Sequence, residues 1–316
     1  MNPSKGHKDQ AEHLRELVEK SSNRKARLLG DVYSGDYAST APQVLGTAAA
    51  RVIAITSGKG GVGKTNFAVN LGISLSRAGN KVLLLDADLG MANIDIVLGV
   101  IPPFNLFNVI RGEKSLAETV ISGPEGLQIL AGGSGVYELA ELSSWQLDRL
   151  IQGFQDLDNS LDYLLIDTGA GIGRQVLSFL ASAQETIIVT TPEPTAVTDA
   201  YGLIKMLYLG GANPNIRVVV NMVESPDEAE QIFVRLNMAC ERFLGAKITF
   251  LGYILKDAAV SRAVKEQVPF LISRPTSKAS RCIMDITSRI TQETHHPDRE
   301  GGLLGLIRKV INFAGA

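Results

Sequence analysis

The stretch "VIAITSGKGGVGKT", residues 52–65, decides the fold. An apolar, β-branched run leads through a glycine-rich turn into a segment with helical spacing that starts near Lys64. The turn satisfies G-x-x-x-x-G-K-[ST] with Gly58, Gly63, Lys64 and Thr65. Glycines let the backbone curl so that its N–H groups converge on phosphates at the start of the helix. Lys64 then bridges the β- and γ-phosphates of a nucleotide, and the Thr65 hydroxyl serves Mg²⁺. One residue is left over. Lys59 is a second lysine that such a loop does not need.

Working outward, "KVLLLD", "LQIL", "DYLLID", "ETIIVT", "IRVVVN" and "KITFLGYI" repeat the short apolar texture of "RVIAIT". Segments with helical spacing separate them, at residues 64–78, 143–156, 174–183, 195–209 and 225–243. Strands alternating with helices predict an α/β fold: a doubly wound, mostly parallel sheet with helices on both faces. Apolar runs without alternation fit strands covered on both sides. Two of the runs end in acid, "KVLLLDADLG" at Asp86 and Asp88 and "LDYLLIDTGAG" at Asp167. Ligands in such folds bind beyond the carboxyl ends of the strands, so these carboxylates point toward the phosphates. Asp167 reads as the acid that holds the metal through water. Asp86 and Asp88, two apart, divide between metal shell and attacking water. An isolated Asp in such a place reads instead as strand-end turn chemistry.

Composition narrows the class. The chain has 316 residues, net charge −2 and 45 % hydrophobic residues, enough for one substantial core or two small ones. A near-neutral balance without a dense Lys/Arg run gives no field for nucleic acid, and none is expected as a specific partner. Cys240 and Cys282 are too few for a disulfide framework, so a cytoplasmic chain is expected. No secretory signal order and no run of 18 apolar residues is present. The four histidines (His7, His13, His295 and His296) lie in the flanking tails, which leaves no His-based catalysis in the core. The segments divide as 1–20, a polar stretch with a narrow apolar stripe; 21–50, a linker; 51–290, the α/β domain; 291–301, a linker; and 302–316. In the last segment Leu303, Leu304, Leu306, Ile307, Val310, Ile311 and Phe313 share half of a helical wheel, opposite Arg308, Lys309 and Asn312. Such a helix packs on its own domain or lies in a membrane surface.

Lys59, Gly60, Gly61, Gly63, Lys64 and Thr65, followed by "LLLDADLGMANID", resemble the MinD-type family of deviant-Walker ATPases over essentially all of residues 51–290. The resemblance implies ATP with Mg²⁺ as cofactors and an ATP-bound homodimer. It puts Gly58, Lys59, Gly60, Gly61, Val62, Gly63, Lys64, Thr65, Asn66 and Asn221 on ATP, with Asn221 at the adenine. Lys59 reaches the partner's phosphates and with Lys64 and Asp88 forms the catalytic set, Asp88 acting on water. Asp86 and Asp167, through water, and Thr65 serve Mg²⁺. Without the resemblance, Lys59 reads as a solvated loop lysine. Cysteine-bearing branches of the family do not match, since Cys240 and Cys282 lie far from the acidic motifs. The C-terminal segment resembles the branch that associates with the inner face of the cell membrane and binds its lipids. "DQAEHLRELV", residues 9–18, and "GGSGVYELAELSS", residues 132–144, resemble flagellar-number regulators of the FlhG type. By that resemblance Gln10, Leu14 and Arg15 meet an FlhF-type GTPase, and flagellar C-ring components are further partners. Composition alone reads the same segment as a polar tail. The alternatives are a MinD-type division-site regulator and a ParA-type DNA-partitioning ATPase.

Overall fold

The computed structural model describes residues 50–88, 94–133, 144–158, 160–210, 215–293, 305–306 and 309–310. Among them lie eight strands: β1 Arg51–Ser57, β2 Val82–Ala87, β3 Ile121–Ser122, β4 Gln128–Ala131, β5 Tyr163–Ala170, β6 Glu185–Thr190, β7 Asn215–Val223 and β8 Thr249–Leu255. They form one sheet in the order β3-β4-β2-β5-β1-β6-β7-β8, parallel except for the β3–β4 pair. The helices are α1 Lys64–Arg77, α2 Ile94–Leu98, α3 Leu106–Ile110, α4 Leu116–Thr119, α5 Ser144–Asp158, α6 Arg174–Ser182, α7 Pro194–Leu209, α8 Pro226–Leu244, α9 Ala258–Glu266, α10 Phe270–Ser273 and α11 Lys278–Gln292.

The period-two geometry of a strand sends neighbouring side chains to opposite faces, and each face has its own core. Val52, Ala54, Leu83, Leu85, Leu164 and Ile166 join α5, α6, α7 and α8 on one side. Ile53, Ile55, Leu84, Leu165 and Val219 join α1 and α11 on the other. The expected doubly wound sheet is present. β3 was not expected from the sequence, because two residues leave no pattern to read. α11 had no boundaries in the sequence reading, yet Ala279, Cys282, Ile283, Ile286 and Ile290 bury one helical face. It continues to Gln292, so residues 291 and 292 are helix and not linker.

At the sheet's lower edge, Arg51 opens β1, Glu185 opens β6 and Arg217 lies early in β7. The Arg51 guanidinium donates to both Glu185 oxygens, the Nη2 bond being 2.8 Å, and Arg51 Nη1 donates to the Ile290 carbonyl at 2.9 Å. Glu293, just past α11, accepts from Arg217 at 2.6 and 2.8 Å and from Arg51 at 3.0 Å. Glu185 is 6 % exposed and Glu293 46 %. Beyond Glu293, Leu306 and Val310 are helical and buried in the α5–α8 core. Among the described residues no helix is long and apolar enough to cross a membrane.

Exposure sets what each carboxylate contributes. Glu185→Ala leaves two buried guanidinium groups short of a counter-charge and should cost about 3–5 kcal/mol. Glu293→Ala, with water at hand to take its place, should cost about 1 kcal/mol or less. Urea denaturation midpoints of the two variants measure the difference.

Candidate functional site

The glycine-rich loop leaves β1 at its carboxyl end, where β1 stands between β5 and β6 and the chain's winding reverses. Gly61 and Gly63 take φ of 80° and 87°, the left-handed region. A Cβ on Gly58 would lie 2.3 Å from the Asp199 backbone on α7, and one on Gly63 would lie 2.4 Å from Asn221 Nδ2. Gly60 and Gly61 have open space where a Cβ would be. The loop is therefore packed from behind and open in front. α1 starts at Lys64 with no side-chain cap and no acid in its first turn, so its N-terminal N–H groups suit an anion.

Asp86 and Asp167 face each other in register on β2 and β5. Both are buried. Lys64 Nζ donates to Asp167 Oδ1 at 2.7 Å and lies 4.0 Å from Asp88 Oδ2. Asp167 Oδ2 is buried and has no hydrogen-bond partner among the described residues. Asp86 accepts from the Asp88 N–H at 3.1 Å and the Ile94 N–H at 3.5 Å. Burial pushes the Asp86 carboxyl up to about 7, helped by the charge of Asp167, against those N–H groups and Lys64. Burial also raises Asp167, with Lys64 opposing. A buried carboxylate pair with an unfilled oxygen, beside the Thr65 hydroxyl, fits Mg²⁺ held partly through water. When bound, Mg²⁺ neutralises phosphate charge; Asp86, Asp167 and Thr65 are the residues that would hold it.

Lys59 does not point into solvent. Its Nζ donates to Glu193 Oε1 at 2.5 Å and to Thr195 Oγ1 at 2.9 Å, at the start of α7. The Lys59 ammonium, then the Thr195 hydroxyl, hold the Glu193 carboxyl below its usual range. Asn221, at the end of β7, serves the loop itself: Nδ2 donates to the Val62 carbonyl at 2.7 Å and Oδ1 accepts from Met222 N–H at 2.8 Å. Met222 has a φ of 60°, unusual for a side chain of its size, and this bond helps hold it there. One cleft of about 1040 Å³ includes Gly60, Gly61, Gly63, Lys64, Thr65, Asn66, Asp88 and Asn221, then continues to Leu255, Lys256, Asp257 and Val260.

The fold thus gathers the loop residues, Asp86, Asp88, Asp167 and Asn221 into one site. Gln10, Leu14 and Arg15 lie outside the described residues, as do Leu303, Leu304, Ile307, Ile311 and Phe313. Glu193 and Thr195 were missed in the sequence. Their signal was present: "TTPEPT" follows the carboxyl end of β6, the side where ligands gather.

A carboxyl raised from 3.8 to about 7 on folding favours the folded state when protonated. That contribution is full below about 3.8 and is lost as pH climbs from there through about 7. Asp86→Asn should therefore raise the melting temperature of Mg²⁺-free protein at about pH 8 by more than at about pH 5. The same variant should lose Mg²⁺-dependent hydrolysis. Melts in EDTA and a phosphate-release assay check both; an equal gain at the two pH values would contradict the raised carboxyl.

Residues 53–270 match the CobQ/CobB/MinD/ParA nucleotide binding domain. The antiactivator FleN of Pseudomonas aeruginosa is 42 % identical over 240 residues, covering 76 % of this chain and 86 % of that protein. The flagellum site-determining protein YlxH of Helicobacter pylori is 34 % identical over 271 residues, covering 84 % of this chain and 91 % of that one. Among solved structures, the septum site-determining protein MinD of Pyrococcus horikoshii, complexed with Mg-ADP, superposes with a TM-score of 0.60 at 26 % identity, covering 77 % of this chain and 96 % of that one. Domain match, overall similarity and the paired lysines on a parallel sheet agree: the chain belongs to the MinD/ParA family of nucleotide-binding proteins and is one of its ATPases.

Proposed function

We propose that this ATPase is a dimerising, membrane-cycling switch that regulates flagellar number and placement. The observation that carries the flagellar reading is the similarity, along most of the chain, to a protein named for flagellum site determination. In this reading ATP closes a homodimer, and Lys59 leaves Glu193 and Thr195 to reach the partner's phosphates. The exchange is cheap, because Lys59 is 36 % and Glu193 56 % exposed, so water takes the place of each partner as they separate. A cation delivered at the phosphates offsets charge that builds up in phosphoryl transfer, so turnover waits for assembly. The apolar face of residues 302–314 then binds the inner face of the cell membrane, two copies per dimer, and hydrolysis releases it. Gln10, with Leu14 and Arg15 anchoring its segment, acts on an FlhF-type GTPase, and C-ring components are further partners.

Deleting the gene and counting flagella and minicells tests the reading. Altered flagellar number with normal division supports it; minicells with normal flagella would move the same chemistry to the division site. Lys59→Ala should bind ATP normally and lose the rise in turnover with protein concentration; a retained rise would reject a lysine acting across the dimer. Val310→Glu should abolish ATP-dependent pelleting with anionic liposomes and keep hydrolysis in solution. Unchanged pelleting would reject the membrane helix.

A further inference from the structure

The cleft that contains the phosphate loop runs past Asn221 to a far end, where a nucleotide with its phosphates on the loop has room for its ribose and base. That end is walled by Leu255, Lys256, Asp257, Val260 and Val264, from the end of β8 into α9. Leu255 and Val260 pack partly buried against the α1–α11 core, but the helix itself adds little. Within α9 only Ala259 and Ala263 are buried, and two methyl groups remove little apolar area from water.

Polar bonds supply the rest. Asp257 Oδ1 accepts from the Ala259 N–H at 2.8 Å and caps α9. Asp257 Oδ2 accepts from the N–H groups of Lys278 at 3.0 Å and Ala279 at 3.4 Å, the first turn of α11. Ser277, the cap of α11, accepts from the Ser280 N–H, so Asp257 takes two donors that Ser277 leaves open. One carboxylate thereby sits at the positive ends of two helices. Those N–H groups, Ala259's first, hold it below the usual carboxylate range, against the opposing effect of burial. α11 is a firm reference. It packs on α1, which carries the phosphate loop, and its far end is tied to Arg51 through the Ile290 carbonyl.

We infer that Asp257 is a positioning residue for the ATPase: by dividing its carboxylate between the N-termini of α9 and α11, it sets the spacing between the phosphate loop and the wall that receives the rest of the nucleotide. It acts through α9 and not on the reacting phosphates. Loss of the bridge therefore weakens capture of whole ATP and spares both the chemical step and the phosphate end.

Asp257→Ser isolates the bridge, because serine is a competent cap for α9 but too short to reach α11. Steady-state hydrolysis should show KM for ATP raised about tenfold with kcat within about twofold of wild type, as loss of positioning without loss of chemistry requires. Inorganic tripolyphosphate, which occupies the phosphate end alone, should inhibit with an unchanged constant. Should the serine variant not fold, the isosteric Asp257→Asn, which keeps one acceptor, is read in the same way. An unchanged KM, whatever the melting temperature, would make Asp257 a structural cap and overturn the inference. Tripolyphosphate inhibition weakening in step with KM would place the effect on the phosphate loop and overturn it too.

Discussion

Asp86 and Asp167 stand side by side on neighbouring strands, out of water, with Lys64 bonded to one of them. Much of the remaining structure serves to keep them there. Register between β2 and β5 is fixed because both strands bury alternate residues in different cores, and a slip of one residue would exchange every side chain between faces. Burial first, and then the charge of Asp167, push the Asp86 carboxyl up to about 7. A fold optimised for stability alone would not keep two acids in this place. Two buried carboxyls, with Asp167 Oδ2 lacking a hydrogen-bond partner among the described residues, suit a divalent cation that arrives with the nucleotide's phosphates.

The two lysines of the loop differ in what holds them, and the difference separates their roles. Lys64 is 7 % exposed and bonded to a carboxylate that is fully buried, so removing either partner strands a charge in a dry place. Lys59 is bound to a pair of exposed side chains where water can replace it at small cost. One ammonium is a fixed part of the site and the other is exchangeable. An exchangeable cation is what the proposed dependence of hydrolysis on the dimer requires.

The fold was legible because its signals are local and strong. Apolar strands without alternation, a glycine turn and a helix in that order leave few topologies open. β3 escapes because two residues carry no period; α11 does carry a helical period, with Ala279, Cys282, Ile283, Ile286 and Ile290 on one face, in a segment whose overall polarity hides a stripe that is present. Within the site, motif spacing gave the loop and the acids at strand ends. Contacts between segments far apart in sequence were not visible. Glu193 meets Lys59 across 134 positions, and Asp257 meets Lys278 across 21, with no motif linking either pair. Asn221 was read from resemblance as an adenine contact; the fold engages both ends of its amide with Val62 and Met222, so it also fixes the shape of the loop.

Leu306 and Val310 belong to the core cluster of the α5–α8 face, and the same two residues belong to the apolar stripe read as a membrane surface. One face cannot be in both places. Burying a Leu and a Val side chain contributes about 1.5–3 kcal/mol each, so docking of this segment is worth several kcal/mol before ordering costs are subtracted. Differential binding of about 5.5 kcal/mol inverts a two-state population from 1:99 to 99:1, and smaller differences already shift it usefully. Docking on the domain is thus of the right size to be overcome by two apolar faces presented together to lipid, and too large for a single helix to leave at no cost. In the proposed cycle the hydrophobic contact that holds Leu306 and Val310 on the domain therefore sets the threshold for membrane capture. Its strength, more than the length of the stripe, decides how strictly attachment depends on the dimer.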